Sequence, residues 1–277
     1  MSNFSDFMNL GIDVATFAGN MNRIVQLDER MTDLRDVVAA RKPEYRYDES
    51  TMAFKNVTCT TPQKNYLVHN LNLEIKRGKS VIITGPSGCG KSSLLRCLVG
   101  LWKCEGLITR PESYGRGGLF YLPQKAYMVT GNLRDQVIYP DIQSKMSDEE
   151  LLALLEKANI GTVFVQFGGW EGVQDWSKVL SPGEQQRLVF ARLFYHHPNF
   201  AVLDESTSAL DSLNEHKLYL KCLEMNITLI SVAHKTALRQ FHDLSLHFDG
   251  KGGYKVTGIS GEEKRKAKIE KKWLPLD

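Results

Sequence analysis

The chain has 277 residues, of which 42% are apolar and 24% charged, so it can bury a sizeable core in one or two domains. Its formal net charge of +3 gives no general argument for binding nucleic acid or a membrane surface. Five cysteines without a C-x-x-C pair suggest neither a zinc site nor a disulfide framework and favour a reducing compartment, and we expect no signal peptide or transmembrane span.

The N-terminal residues 1–40 carry apolar side chains at helical spacing, from Phe7 to Val37. The pattern predicts one amphipathic helix over residues 3–38, or two in series. A linker at 41–50, a globular domain at 51–255 and a charged tail at 256–277 follow. For the basic run in the tail, a solvated helix is preferred over contact with acidic lipid.

Within residues 51–255, strands alternate with helices, which predicts an α/β fold with a largely parallel sheet. The first two strands look antiparallel, and a Gly-rich hairpin is expected around residues 250–253. The predicted strands are 52–58, 67–75, 81–83, 200–203 and 227–232; the predicted helices are 148–158, 184–196 and one after Lys91 that extends towards Trp102.

Residues 85–92 match G-x-x-x-x-G-K-[ST] between a predicted strand and a predicted helix. The glycines let backbone N–H groups surround phosphate oxygens, Lys91 reaches the β and γ phosphates, and the Ser92 hydroxyl binds Mg²⁺. The plainer alternative is a Gly-rich turn before a helix. The predicted nucleotide contacts are Gly85, Pro86, Ser87, Gly88, Cys89, Gly90, Lys91, Ser92 and Ser93.

The apolar strand at 200–203 ends in Asp204 and Glu205. Such a strand places its carboxylate at the sheet edge where open α/β sheets bind ligands. Asp204 would hold Mg²⁺ through water, and Glu205 would act as general base on the attacking water. An acidic turn after a core strand is the alternative without chemistry.

Residues 180–187 read Leu-Ser-Pro-Gly-Glu-Gln-Gln-Arg. Taken locally, Ser181 and Glu184 form a capping box with Pro182 at the first helical position. A capped helix start is also an anion site. The segment closely resembles the signature of ATP-binding cassette (ABC) ATPases.

With the three motifs in this order, residues 50–250 resemble an ABC ATPase. The resemblance implies a P-loop NTPase core with a mainly parallel sheet, an antiparallel β subdomain and a helical signature subdomain. It gives Gln124 a role in sensing the γ-phosphate, in binding Mg²⁺ and in facing the transport domain. Asp211 matches the loop that communicates across the dimer, and His234 matches the switch histidine.

The resemblance also implies two such domains packed head to tail around Mg-ATP. Ser181, Gly183 and Glu184 of one domain would then contact the nucleotide held by Lys91 of the other. Three departures stand out: Pro182 replaces a glycine and removes a backbone donor, Glu184 replaces the usual glutamine, and Thr61 replaces an adenine-stacking aromatic, which leaves Tyr66 as the candidate.

Residues 119–124, 133–140 and 191–195 resemble subfamily D half-transporters. Those carry fatty acyl-CoA into peroxisomes, and a lysosomal branch, towards which residues 180–184 lean, is linked to cobalamin. The resemblance implies an ATPase at the cytosolic face of a peroxisomal or lysosomal membrane. Its partners would be a second, identical or different, ABC ATPase domain and a transmembrane domain absent from this chain. No nucleic acid is expected.

The N-terminal helix resembles the cytosolic end of the last transmembrane helix of those proteins. Three alternatives remain open: a soluble ABC ATPase acting in repair or translation, another P-loop enzyme such as a kinase, and a regulatory subunit that binds ATP without turnover. A soluble ABC ATPase usually carries two cassettes or a long coiled-coil insertion, and neither is expected in this sequence. The motif at 180–187 argues against the kinase. The regulatory subunit is disfavoured by the intact Lys91, Asp204, Glu205 and His234 but left open by Pro182.

Overall fold

The computed structural model describes residues 2–39, 44–60, 65–102, 104–233 and 235–261. The chain divides into two units, Met1–Lys42 and Pro43–Asp277, each of which is described by itself. The predicted charged tail lies largely outside the described residues.

The first unit is one continuous helix, α1 (Ser2–Ala39), rather than two in series. Leu10, Phe17 and Ile24 recur at seven-residue intervals. Because seven residues fall about 20° short of two helical turns, an apolar stripe with this period winds slowly around a straight helix. No helix among the described residues combines the length and the apolarity that crossing a membrane requires.

The second unit is built on two sheets. The strands are β1 (Glu44–Tyr47), β2 (Thr51–Thr60), β3 (Tyr66–Lys76), β4 (Val81–Thr84), β5 (Glu105–Arg110), β6 (Leu119–Leu122), β7 (Phe200–Asp204), β8 (Thr228–Val232), β9 (Leu244–Phe248) and β10 (Tyr254–Gly258). One sheet has the order β1-β5-β2-β3 and the other β10-β9-β4-β8-β7-β6.

The larger sheet is parallel from β9 to β6, with only β10 antiparallel to its neighbour β9. In the smaller sheet β2 is antiparallel to both β3 and β5. The predicted α/β class, the antiparallel opening strands and the hairpin near residue 250 are therefore confirmed.

The helices of this unit are α2 (Lys91–Leu98), α3 (Leu133–Ile138), α4 (Asp148–Lys157), α5 (Thr162–Gln166), α6 (Trp176–Val179), α7 (Pro182–His196) and α8 (Ser212–Glu224), with a 3-10 helix at Thr236–Phe241. One apolar core lies around α3, α4 and α7, and a second surrounds α2 between the sheets. Strands β7 and β8 are buried along their whole length, as parallel strands covered on both faces are.

Two stretches differ from the prediction. Part of the predicted linker forms β1, because Glu44–Tyr47 pairs in parallel with β5 and the Tyr45 hydroxyl donates to the Cys97 carbonyl at 2.9 Å. The helix predicted to run towards Trp102 ends at Leu98 instead. Gly100 has a φ of 81°, and the N–H groups of Gly100 and Leu101 donate back to the last turn, a glycine-dependent helix ending.

Candidate functional site

The loop between β4 and α2, residues 85–90 and called the phosphate loop below, is held in a shape that its glycines permit. Gly85 and Gly90 have φ angles of 144° and 98°, a region that other residues rarely adopt. A Cβ on Gly85 would lie 2.7 Å from the Phe248 carbonyl oxygen, and one on Gly90 would lie 2.7 Å from the Leu67 Cβ. The loop is thus pressed between β9 and β3, and larger residues would push its backbone out of place.

Lys91 turns its ammonium group back over this loop. The ammonium donates to the carbonyl oxygens of Gly85 at 3.0 Å and Pro86 at 2.8 Å, and Lys91 is 5% exposed. Both carbonyl partners are neutral dipoles. A buried cation held in this way gains strongly from an incoming anion, since burial without a counter-charge is costly. The geometry therefore suits phosphate oxygens.

Asp204 lies beside the start of α2, at the end of β7. The Ser92 hydroxyl donates to Asp204 Oδ1 at 2.6 Å, and the Tyr121 hydroxyl donates to Oδ2 at 3.0 Å. Asp204 is 3% exposed, and both donors are neutral hydroxyls. Serine and aspartate oxygens are the ligand type that Mg²⁺ prefers, so this pair could hold the ion next to the phosphate loop.

Tyr121 takes part in this arrangement as a permanent donor. Burial, reinforced by the negative charge of Asp204, raises the pKa of Tyr121 to about 12. The phenol is therefore protonated at any physiological pH. Sequence reasoning missed this residue, although it stands in the apolar run that leads to Pro123 and Gln124.

Glu205 follows Asp204 with its backbone in the left-handed region, at a φ of 51°. Its N–H still donates to the Val232 carbonyl at 3.2 Å, so the β7–β8 ladder extends into the turn. Gln124 Nε2 donates to the carboxylate of Glu205 at 3.0 Å. A left-handed non-glycine residue costs roughly 1–2 kcal/mol, a strain that proteins concentrate at functional sites.

The start of α7 is capped as predicted. The Ser181 hydroxyl donates to Glu184 Oε2 at 2.6 Å, and the Glu184 N–H donates to the Ser181 hydroxyl at 3.3 Å. These contacts lower the pKa of Glu184 below its usual range, because Ser181 donates both from its hydroxyl and from its backbone N–H. Pro182 occupies the first turn, and Gly183 packs close to the Ala209 carbonyl. In the described part of the chain, the side-chain hydrogen bonds of Ser181 all go to Glu184.

Gln186 joins this helix start to the loop before α8. Its Oε1 accepts from the Ala209 N–H at 3.0 Å, and its Nε2 donates to the Ser208 hydroxyl at 3.4 Å. Asp211 caps α8 by accepting from two backbone N–H groups, and the N–H donors of Asn214 lower the pKa of Asp211. The two segments predicted to face a partner are therefore fixed to each other, through a glutamine that the sequence analysis did not single out.

A cavity of about 530 Å³ is lined in part by Pro123, the residue before Gln124. Aromatic residues including Tyr127, Tyr139 and Tyr195 line it. Arg192, buried in its wall, donates to two backbone carbonyls, and burial lowers its pKa to about 10. Its Nη2 atom is buried without a hydrogen-bond partner among the described residues.

The remaining predicted residues are placed as follows. Ser87, Gly88 and Cys89 belong to the phosphate loop, and Ser93 lies in the first turn of α2. His234 and Thr61 lie outside the described residues. The Tyr66 ring contacts His69 at 5.1 Å between centroids. Because side chains alternate along β3, Tyr66 and Leu67, which touches the phosphate loop, point to opposite faces.

The sequence that contains this site is similar to those of known proteins. The ABC transporter family profile covers residues 68–208. Human ATP-binding cassette sub-family D member 3 is 45% identical over 218 residues, which are 76% of this chain and 33% of that protein. The human lysosomal cobalamin transporter ABCD4 is 36% identical over 286 residues, covering 95% of this chain and 47% of that protein.

Among solved structures, a bacterial Atm1-family ABC exporter with ATP bound is similar. Its TM-score is 0.61 at 25% identity, and the match covers 76% of this chain and 39% of the exporter chain. The match to the sub-family D member 3 proteins covers 33% of their length, so the chain spans about a third of these relatives.

Proposed function

This chain belongs to the ABC transporter family, and from that premise we propose that it hydrolyses Mg-ATP between two head-to-tail domains to power transport across an organelle membrane. The family assignment covers ATP binding by a domain of this type. The hydrolysis step, the pairing and the cargo are the proposal.

The observation that carries the proposal is the contact between Ser92 and Asp204. This contact joins the start of α2, just after the phosphate loop, to the end of β7. The proposed anion site at Lys91 and the proposed divalent-cation site at Ser92 and Asp204 are therefore adjacent. Lys91 would exchange its carbonyl partners for the β and γ phosphates. Mg²⁺, when bound, would supply positive charge that neutralises charge building on the transferring phosphoryl group.

Glu205 is the proposed general base. Its carboxylate would accept a proton from the attacking water as that water adds to the γ-phosphate. Gln124 donates to this carboxylate, so it can hold Glu205 in position and respond to the state of the nucleotide. The proposed role of His234 as a switch histidine rests on the family resemblance.

The proposed partner is a second ABC ATPase domain. The capped start of α7 offers Ser181 and Gly183 at the positive end of a helix dipole, which suits a phosphate held by another protomer. Gln186 ties this helix start to the loop at 208–211. Binding of nucleotide in the interface would therefore affect the start of α7 and the loop at 208–211 together.

The cavity beside Gln124 is the proposed docking place of a transmembrane domain. Its aromatic lining suits an apolar side chain of the docking segment. A change in the position of Gln124 when the nucleotide binds or is hydrolysed would then be transmitted to the transmembrane domain. The name of the human relative ABCD4 supports a cobalamin class of cargo and a lysosomal membrane. The alternative of a fatty acyl-CoA cargo and a peroxisomal membrane rests on the resemblance to subfamily D half-transporters.

The test is ATP turnover by the purified chain, followed as phosphate release. Lys91→Ala should lower the rate at least about 100-fold, since one lost transition-state contact of this kind costs about 2.7–4 kcal/mol. Lys79→Ala, which removes an exposed lysine in the turn before β4, is the matched control and should keep the wild-type rate. A Lys91→Ala rate within twofold of an active wild type would refute the assignment.

A further inference from the structure

Three cysteines far apart in the sequence meet inside the second unit. Cys59 lies on β2, Cys97 on α2, and Cys104 immediately before β5. The sulfur atoms of Cys59 and Cys97 are 3.5 Å apart, and all three sulfurs lie within 4.8 Å of one another. All five cysteines of the chain lie in the described ranges, and each carries a thiol rather than a disulfide.

The cluster is shielded from solvent. Cys59 and Cys97 are each 1% exposed and Cys104 is 6% exposed, and all three belong to the apolar core around α2. Cys104 is therefore the thiol of the three that lies nearest to solvent.

The spacing of the sulfurs suits one ion at their centre. A thiolate sulfur binds a transition-metal ion such as zinc at about 2.3 Å. Three sulfurs in a triangle around such an ion would therefore be about 4 Å apart. That value lies between the shortest separation of 3.5 Å and the limit of 4.8 Å in the cluster. Shifts of less than about 1 Å would complete the triangle.

The identity of the ion follows from the ligands. Thiolates select soft ions, which excludes Mg²⁺ and Ca²⁺. Structural zinc takes four ligands, but the cluster contains three, and no other His, Cys, Asp or Glu of the described residues joins it. Cu(I) and zinc are the soft ions that thiolates bind singly, and the three-ligand cluster therefore favours Cu(I).

We propose that Cys59, Cys97 and Cys104 bind a single Cu(I) ion. Each thiol that binds the ion releases its proton to solvent, and copper stays in the +1 state, so the step consumes no oxidant. The ion would tie together β2, the last turn of α2 and the segment before β5. The nucleotide-binding helix would be clamped to the antiparallel sheet by a bond that depends on copper.

The test is an anaerobic Cu(I) titration of the full chain in ascorbate, with bicinchoninate as competing ligand. The wild type should bind one Cu(I) with saturation, and Cys104→Ala should weaken binding more than about 100-fold, because even outer-shell changes weaken metal sites by 10–100-fold. Cys222→Ala is the matched control. It removes a fully buried thiol in α8, outside the cluster, and should bind Cu(I) as the wild type does.

X-ray absorption of the copper-loaded wild type decides the question even if a variant fails to fold. Three sulfur neighbours at about 2.3 Å would support the site. Nitrogen or oxygen in the first coordination shell, absence of a saturable single site, or Cys104→Ala binding as tightly as Cys222→Ala would overturn it.

Discussion

Tyr121→Phe isolates one hydrogen bond at the end of β7. The tyrosine hydroxyl donates at 3.0 Å to Asp204, a carboxylate that is 3% exposed. Phenylalanine keeps the ring, so the core stays filled and only the donor is lost. A hydrogen bond to a charged group contributes about 1.5–3 kcal/mol. At about 2–4 °C per kcal/mol for a domain of 150–250 residues, the Tm should fall by about 3–12 °C.

Thermal unfolding of the full chain without nucleotide measures this change. Tyr195→Phe is the control, since its hydroxyl also donates to a carboxylate, but at 3.2 Å and to the exposed Asp141. Exposed interactions with charged groups contribute about 0–1 kcal/mol, so the control should lose no more than about 4 °C. Equal losses in Tyr121→Phe and Tyr195→Phe would refute the view that burial of Asp204 makes its bond strong.

The pH dependence gives a second check on the same bond. The folded pKa of Tyr121 is raised to about 12, above the ordinary value near 10. Stability from the neutral phenol is therefore complete below about pH 10 and is lost as the pH rises through about 12. The Tm difference between wild type and Tyr121→Phe should stay constant from about pH 7 to 9.

Gln186→Ala should lower both the Tm and ATP turnover, because the Ala209 N–H loses its partly buried acceptor and a hydrogen bond of this kind contributes about 0.5–1.5 kcal/mol. Unchanged turnover would speak against the link between the two segments. Ser181→Ala should lower the free energy of unfolding by about 1 kcal/mol at pH 7 and by less in acid. Because the pKa of Glu184 is lowered on folding, the capping box stabilises the protein above about pH 4, and this stabilisation is lost as the pH falls through the folded pKa. A stability difference between wild type and Ser181→Ala that grows in acid would contradict the capping box. Deletion of residues 1–40 should leave ATP affinity unchanged, since the phosphate loop lies in the second unit, and should reduce light scattering without ATP, since an apolar stripe favours self-association. Loss of ATP binding would place α1 in the domain's own core.

The phosphate loop could be predicted because its chemistry lies in consecutive residues. Gly85, Gly90 and Lys91 act through local backbone shape, which the sequence pattern specifies directly. The same holds for the capping box of α7, whose members are three residues apart. Such sites depend little on how distant segments pack.

Apart from the early end of α2, which Gly100 sets locally, the missed features depend on distant segments. Tyr121 and Asp204 are 83 residues apart, and Gln186 and Ala209 are 23 apart. Strand β1 exists because it pairs with β5, although its own four residues are mostly exposed. The cysteine cluster likewise joins a strand, a helix and a loop, so no spacing rule applied along the chain could reveal it.

The most direct test of the central claim uses Glu205→Gln, which keeps the shape of the side chain and removes the base. With Mg-ATP this variant should bind nucleotide, hydrolyse it slowly and elute as a dimer in size-exclusion chromatography with light scattering. With Mg-ADP it should be mainly monomeric. Adding Ser181→Arg, which blocks the helix start offered to the partner's nucleotide, should abolish the dimer while ATP binding remains. A monomer in both nucleotides, with bound ATP demonstrated, would contradict the head-to-tail arrangement.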